Sequence, residues 1–171
     1  MTDSLSKKLW TGEYARKAWR SIMDKGSLKG MNATVRLRRL TEQDASKEYA
    51  RWFEDKELRR WIARATPTIA ACRAYIAEQR ANSDVMLWGI FVQGHHVGNI
   101  KAERGGDRAV LGLMVGERGR RGMGIGPAAI RQAARWCVRH WKVGLVVAGV
   151  HPFNTRSMRA FEIAGFKIAD L

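Results

Sequence analysis

Apolar residues recur at two different spacings along the 171-residue chain. Residues 34–40 alternate apolar side chains with arginines, which is the period of a half-buried β-strand. Further runs with strand character, separated by glycine turns or helical segments, lie at 86–92, 96–103, 108–115, 145–150 and 166–171. Residues 145–150 are continuously apolar, so we expect that strand to be covered on both faces of its sheet.

Helical spacing fills the intervals between these strands. Thr41 followed by Asp44 is typical of a helix N-terminus, and this helix is expected to extend to about residue 53. The other helices are expected at 55–62, at 69–82 with Thr68 as N-cap, from Gly126-Pro127 to Trp141, and at 156–165 with Gly165 as C-cap. This alternation predicts an α/β (α+β) fold with a mixed β-sheet flanked by helices.

Residues 1–33 differ from the rest and are expected to form an appendage. Leu9, Ala18 and Ile22 lie near helical spacing among lysines and arginines, which predicts a basic amphipathic helix. The stretch 26–32 has the composition of a linker, and Met31 is an alternative start. We therefore divide the chain into the appendage at 1–33 and one domain at 34–171.

Composition narrows the function classes. Thirty-one Lys and Arg against 16 Asp and Glu give a net charge of +15, which attracts polyanions such as nucleic acid or phosphate-bearing small molecules. No apolar run is long enough to span a membrane and no secretory signal begins the chain, so we expect a cytoplasmic protein. Cys72 and Cys137 lack metal-site spacing and are expected to be buried free thiols, with no metal bound.

The sequence ERGRRGMGIGPAAI at 117–130 joins a predicted strand to a predicted helix. Free amides in the first turn of a helix bind anions, and glycines allow a phosphate to approach the backbone. Arg120 and Arg121 add positive charge. The glycine spacing fits neither the dinucleotide fingerprint nor the P-loop, so the residues alone indicate a phosphate or pyrophosphate site, or else only a tight strand-to-helix turn.

Two motifs carry a resemblance to a known family. Arg121 to Gly126 resembles R/Q-x-x-G-x-G/A, the acetyl-CoA pyrophosphate loop of the GNAT N-acetyltransferases, and Asn154 to Phe166 resembles that family's second motif. The stretch 37–62, with its WFEDKELRRW motif, and Gly98 to Lys101 are similar to the RimJ/RimL-like branch, particularly to enzymes that acetylate amino sugars for surface glycans.

The resemblance implies a fold and an acetyl-CoA site. In a GNAT fold the strand ending at Val115 splays from the strand ending at Val150, and the pantetheine arm lies between them. The implied cofactor-binding residues are Leu113, Met114 and Val115 through their backbone, Arg120, Arg121, Gly122, Met123, Gly124, Ile125 and Gly126 at the pyrophosphate, and Asn154 and Phe161 along the arm. Arg131 or Arg159 would meet the 3′-phosphate, unless both are ordinary solvated arginines.

The catalytic positions depart from the family pattern. Phe161 stands where many relatives have the tyrosine acid, and Val110 stands where many have a carboxylate. Ser157 is the expected substitute for the acid, acting through water, unless the thiolate leaves unassisted. His151 is the first candidate base, with a turn residue as the alternative, and Glu103 is the second; His95 and His96 are expected in a turn.

The expected reaction is acetyl transfer from acetyl-CoA to a primary amine, most directly that of a nucleotide-linked amino sugar. The alternatives are acetylation of a protein N-terminus, as on ribosomal proteins, and a non-catalytic acyl-CoA or nucleic-acid binding module. Trp52, Trp61 and Trp88 either line the acceptor pocket or belong to the core. The chain ends five residues after Phe166, where relatives continue with two paired strands. Three alternatives follow: the last strand is missing, a second chain completes the sheet in a homodimer, or the chain is a shortened product with impaired activity.

Overall fold

One mixed sheet of seven strands forms the centre of the protein in a computed structural model that describes residues 8–12 and 34–168. The strands are β1 (Lys8–Gly12), β2 (Val35–Arg39), β3 (Val85–Val92), β4 (His95–Gly105), β5 (Arg108–Val115), β6 (Leu145–Val150) and β7 (Lys167–Ile168). Their order across the sheet is β2-β3-β4-β5-β6-β1-β7. Neighbours are antiparallel except β5 and β6, which are parallel, so the predicted mixed sheet is confirmed.

β1 corrects the prediction for the N-terminal segment. Residues 8–12 form a strand, not part of a helix, and the rest of 1–33 lies outside the described residues. β1 pairs with the whole of β6, from Lys8 opposite Val150 to Gly12 opposite Val146, and also with β7. An unpaired edge on β6 would leave a row of backbone N–H and C=O groups without partners, and β1 satisfies them. The chain's own N-terminal strand therefore pairs with the edge of β6 that a second chain was predicted to complete.

Within residues 34–168, five α-helices pack on the sheet. They are α1 (Lys47–Arg51), α2 (Lys56–Arg59), α3 (Ile69–Ala81), α4 (Ile125–Trp136) and α5 (Thr155–Ile163), and a π-helical turn, Cys137–Trp141, extends α4. The single helix predicted up to residue 53 is instead broken into a 3₁₀ turn at Glu42–Asp44, α1, and a second 3₁₀ turn at Trp52–Glu54. Ser46 and Asp55 cause the breaks because each caps a new helix by accepting backbone hydrogen bonds.

The two faces of the sheet have separate cores. α4 and α5 cover one face, where Ile130, Ala134 and Phe161 pack on the sheet. α1 and α3 contribute Tyr49 and Ile76 to the cluster on the other face. Helices on both sides of the sheet confirm the predicted fold class.

Several residues that the sequence left open belong to the core. Trp52 and Trp88 are buried, whereas Trp61 is half-buried. Cys72 and Cys137 are buried free thiols, as expected, and burial raises the pKa of Cys137 to about 12. His96 packs against Tyr49, Trp52 and Phe91 and shares a 2.7 Å hydrogen bond with Asn99, so it serves the core. Burial lowers the pKa of His96.

Within the described ranges, no helix combines the length and the apolar character needed to cross a membrane. The same residues contain no group of three or more His, Cys, Asp or Glu side chains placed to hold a metal ion.

Candidate active site

A wedge-shaped gap opens between the two parallel strands of the sheet. β5 and β6 pair from Arg108 opposite Leu145 only as far as Leu111 opposite Ala148. Beyond that point residues 112–115 have no pairing with β6 among the described residues, while Gly149 and Val150 pair with β1 on their other side. The backbone edge of β5 is therefore open at the carboxyl end of the parallel pair, where α/β sheets bind ligands.

The glycine-rich loop lies at the wide end of this gap. Gly122 and Gly124 have φ values of +78° and +72°, the left-handed region that favours glycine, and Gly124 is the N-cap of the 12-residue helix α4. A side chain on Gly126 would place its Cβ 3.1 Å from Leu113 Cδ2 and 3.5 Å from Ala160 Cβ. The helix start is therefore pressed between β5 and α5, with the first-turn amides of α4 positioned for an anion.

Arg121 does not extend into this anion site. Its Nη1 lies 2.7 Å from Asp55 Oδ2, its Nε donates to the Val115 carbonyl at 3.0 Å, and its Nη2 donates to the Gly116 carbonyl at 3.1 Å. The side chain is only 13% exposed. The guanidinium thus attaches α2 to the end of β5, and the Val115 carbonyl, expected to bind pantetheine, already has a donor. Arg120 is half-buried, with Nε 4.0 Å from Glu117 Oε2.

Ion pairs connect the loop to the opposite side of the gap. Arg121 Nη1 is also 3.9 Å from Glu57 Oε2, and Glu57 Oε1 is 3.0 Å from Arg156 Nη1 at the start of α5. Asp55 and Glu57 of α2 therefore join the loop before α4 to the first turn of α5. Because Arg156 is 68% exposed, its pair with Glu57 is a weak one.

The second motif forms the other wall of the gap. Asn154 Oδ1 accepts from the Ser157 backbone N–H at 3.2 Å and caps α5, which places Ser157 in the first turn of that helix. Phe161 is 1% exposed and packs edge-to-face against Phe166. Its ring belongs to the core beneath the wall, and it has no proton to donate.

His151 lies just beyond the end of β6, in a small aromatic group. Its ring centroid is 5.2 Å from Trp61 and 5.6 Å from Phe153, which is 66% exposed. The His151 Nδ1 accepts the Phe153 backbone N–H at 3.2 Å, so a neutral ring carries its proton on Nε2. Because this backbone contact uses the basic lone pair, His151 is arranged as a hydrogen-bond donor.

Glu103 lies beside the position where the family carboxylate is lost. It is directly opposite Val110 on the neighbouring strand, and alternation puts both side chains on the face away from Ala102 and Leu111. Val110 is two residues before Gly112, where β5 and β6 part, and it is 39% exposed. Lys101 Nζ is 3.5 Å from Glu103 Oε2. A carboxylate is therefore present at the narrow end of the gap.

Tyr75 of α3 is a titratable side chain whose pKa is influenced by the carboxylate of Glu103. Burial raises the pKa of Tyr75, and Glu78 and Glu103 contribute to the rise. The sequence did not single out Tyr75, since its position on a helix gave no functional signal.

An open depression of about 620 Å³ lies beside the loop, between α1, α2 and the end of β5. Its lining combines the ring of Trp52 with charges of both signs: the carboxylates of Glu54, Asp55, Glu57 and Glu117 and the cations Arg51, Lys56 and Arg118. A Cβ on Gly116 would overlap the Trp52 ring, so the loop runs directly against this ring. Asp55 and Glu57 belong to the WFEDKELRRW motif, yet nothing in the sequence predicted their contacts with Arg121 and Arg156.

The sequence matches a family model described as Acetyltransferase (GNAT) domain over residues 34–167. No curated protein matches the chain.

Three solved structures illustrate the shared fold. The aminoglycoside acetyltransferase AAC(6')-Ib in complex with coenzyme A has a TM-score of 0.67 and 22% identity, over 78% of this chain and 84% of that chain. RimJ from Mycobacterium smegmatis in complex with CoA-disulfide has a TM-score of 0.72 and 22% identity, over 80% and 71%. The ribosomal-protein-S5-alanine acetyltransferase from Vibrio fischeri has a TM-score of 0.66 and 16% identity, over 78% and 79%. At these identities the likeness shows the fold alone. Through the family match, the chain belongs to the GNAT acetyltransferases and is an enzyme of that class.

Proposed function

We propose that this enzyme transfers the acetyl group of acetyl-CoA to a primary amine. The observation that carries the proposal is the wedge between β5 and β6, with the left-handed glycines Gly122 and Gly124 and the N-terminus of α4 at its wide end. This arrangement suits a long ligand with a pyrophosphate at one end. AAC(6')-Ib and RimJ, which share the fold, were solved with coenzyme A and with CoA-disulfide. We propose a cytoplasmic location for this activity.

Residues from Gly122 to Gly126 would hold the pyrophosphate through backbone amides. Pro127 has no amide, so the amides of Ile125 and Gly126 in the first turn of α4 are the ones available. The open edge of β5 at Leu113 and Met114 would hold the pantetheine amides, with Asn154 opposite. No role in this binding is assigned to the side chain of Arg121, since it is committed to Asp55 and two carbonyls.

The chemistry is attack of a neutral amine on the thioester carbonyl. The nitrogen forms a bond to the carbonyl carbon, the carbon–sulfur bond then breaks, and the electron pair leaves with sulfur as thiolate. A backbone N–H on the open edge of β5 would stabilise the negative oxygen of the intermediate. The amine gives up one proton to a base, and the thiolate gains one from solvent.

Glu103 is our proposed base. Its carboxylate shares a sheet face with Val110, next to the point where the strands part. His151, in contrast, uses its Nδ1 to accept the Phe153 N–H, and we propose that its Nε2–H donates to the acceptor. Thiolates leave readily near neutral pH, so the reaction does not need an acid in place of Phe161. Ser157, in the first turn of α5, is the hydroxyl that would protonate the sulfur through a water molecule.

The acceptor we favour is an amino sugar, including a nucleotide-linked one. Trp61, His151 and Phe153 present rings at the end of β6, and aromatic faces bind sugar rings through their apolar surface. A protein N-terminus is the second candidate, favoured by the fold shared with a ribosomal-protein-S5-alanine acetyltransferase.

Thiol release from acetyl-CoA, measured with amino sugars, nucleotide-linked amino sugars and peptides, tests this proposal. Glu103→Gln should lower kcat/KM about 100-fold and leave acetyl-CoA affinity unchanged, because it removes only the base. Glu162→Gln, an exposed carboxylate on α5, is the matched control and should retain activity. Equal rates in the two variants would contradict the role of Glu103.

His151→Gln separates the two roles of the histidine. We expect a higher KM for the acceptor with an unchanged rise of rate with pH, because a donor contributes to binding only. A flattened dependence of rate on pH in this variant would instead identify His151 as the base. Acetyl-CoA binding without thiol release for any amine would identify a non-catalytic binding module.

A further inference from the structure

The positive charge is distributed very unevenly between the two helix layers of the sheet. We define the α4–α5 layer as residues 125–167, which contain seven cations and the single anion Glu162. The cations are Arg131, Arg135, Arg139, Lys142, Arg156, Arg159 and Lys167. Residues 41–81, which form the opposite layer, contain eight cations and seven carboxylates. The α4–α5 layer therefore has a net charge of +6, against +1 for the opposite layer.

The cations of this layer form a connected array. Arg131, Arg135 and Arg139 follow one another at intervals of four residues on α4 and its π-helical extension, about 6 Å apart along the axis. α5 packs beside α4, and Arg131 Nη1 donates to the Ile163 carbonyl at 2.8 Å across this contact. The two helices therefore present their arginines side by side.

Most of this charge is exposed and not neutralised within the protein. Arg139, Lys142, Arg159 and Lys167 are all exposed. None of these four side chains forms an ion pair with another residue of the described ranges; in this layer Arg156 is paired, with Glu57 of α2. Concentrated like charge lowers stability by self-repulsion, so an array of this kind is typical of a surface that meets a polyanion.

Acetyl-CoA accounts for part of the array at most, since its 3′-phosphate would meet Arg131 or Arg159 and leave Arg139 and Lys142 without a phosphate. Its pyrophosphate would lie at the start of α4, and Arg139 is 14 residues further along, a rise of about 21 Å. Lys142 is more distant still. A ligand that contacts both the start of α4 and Arg139 must therefore span about 21 Å or more.

We propose that the α4–α5 layer binds the phosphate backbone of a nucleic acid, without reading its sequence. Five of the seven cations are arginines, which bind phosphate through two parallel hydrogen bonds. A linear array of cations matches a linear polymer of phosphates. An anionic membrane is a poorer fit, because binding to its surface needs an apolar stripe, and the large apolar side chains exposed in this layer are Phe153 and Ile163, which are separated by the length of α5. This proposal does not rest on acetyl transfer.

The test uses the full chain and labelled RNA and DNA of about 20 nucleotides, with affinity measured by fluorescence anisotropy from about 50 mM to 200 mM KCl. The variant is Arg139→Glu, Lys142→Glu, Arg159→Glu. Its matched control is Lys47→Glu, Arg59→Glu, Arg73→Glu, which makes the same charge change with exposed residues of the opposite layer. Circular dichroism and thermal unfolding establish that both triple variants fold.

We expect the wild-type protein to bind and the α4–α5 variant to lose at least tenfold in affinity at low salt. The slope of log affinity against log salt should fall by about 2 to 3, since three phosphate contacts are removed. The control should lose less than threefold. Equal losses in both variants would overturn the proposal, because binding would then follow net charge. Absence of binding by the wild-type protein would also overturn the proposal. Displacement of RNA by poly-glutamate at equal charge would overturn it as well, because it would indicate an acidic protein partner.

Discussion

Arg121 illustrates how a residue that matches a binding motif is used for structure. The motif predicts a cation near the pyrophosphate, yet the guanidinium bonds Asp55 and the carbonyls of Val115 and Gly116. The motif specifies a backbone path, and the arginine holds that path by joining α2 to the end of β5. Sequence alone could not show this, because Asp55 is 66 residues away along the chain.

Arg121→Ala should destabilise the protein by about 3 kcal/mol, because it leaves a mostly buried carboxylate and two carbonyls without their donor. Arg121→Lys should recover only part of this, since one ammonium cannot serve three acceptors in a fixed geometry. Urea denaturation measures both, with Arg120→Ala as the control. Equal stabilities of the Arg121 and Arg120 alanine variants would contradict the structural role.

Asp44 gives a prediction for stability at acid pH. Burial alone would raise the pKa of its carboxyl, but hydrogen bonds from Arg38 and Thr41 outweigh burial and lower the pKa to about 2. The folded pKa lies below the unfolded value of about 3.9, so the carboxylate stabilises the fold above pH 4 and this contribution disappears as the pH falls toward 2.

At pH 7, Asp44→Asn should therefore cost about 2 kcal/mol in the free energy of unfolding, and the difference from wild type should narrow below pH 4. Urea denaturation across this pH range measures it. Asp84→Asn, at the half-exposed pair with Arg104, is the control and should cost less. A difference that stays constant down to pH 2 would show that the charge of Asp44 does not matter.

At the scale of elements, the spacing of apolar residues predicted the strands whose position depends on their own burial. The strands expected at 108–115 and 145–150 have those bounds in the structure, because alternation or continuous apolar character reflects the burial of each strand. The first helix was predicted too long because Ser46 and Asp55 introduce new caps. β1 was missed because its pairing with β6 joins residues about 140 positions apart, and helical spacing at 9–22 gives no information about that partner.

β1 should be necessary for the acetyl-CoA gap, because it is the strand that pairs with Gly149 and Val150 where β6 leaves β5. Deleting residues 1–12 should lower the Tm by about 5 °C or more and should speed hydrogen exchange in Leu145–Val150. A product that starts at Met31 would lack β1 in the same way.

Deleting only residues 1–7 is the matched control, since it retains β1, and it should leave both the Tm and exchange near wild-type values. If the variant that lacks residues 1–12 also shows wild-type hydrogen exchange in Leu145–Val150, β1 does not stabilise β6.

At the scale of the whole molecule, the sheet separates two tasks. The gap between β5 and β6, bounded by the loop before α4 and the start of α5, is suited to a phosphate-bearing donor. We propose that the acceptor binds on the face that bears Glu103 and Val110, whereas the α4–α5 layer has seven cations and one anion. The family motifs predicted the gap and the loop, whereas the ion pairs across it and the placement of Glu103 required the folded chain.

Calorimetric titration of the full chain with acetyl-CoA tests the central claim most directly. We predict binding in the micromolar range for the wild-type protein and none for Gly124→Glu, which puts a charged side chain at a left-handed position of the anion site. Gly105→Glu, at the remote turn between β4 and β5 with open space around it, should bind like wild type. Absence of wild-type binding at high micromolar acetyl-CoA, or unchanged affinity in a folded Gly124→Glu variant, would contradict the account.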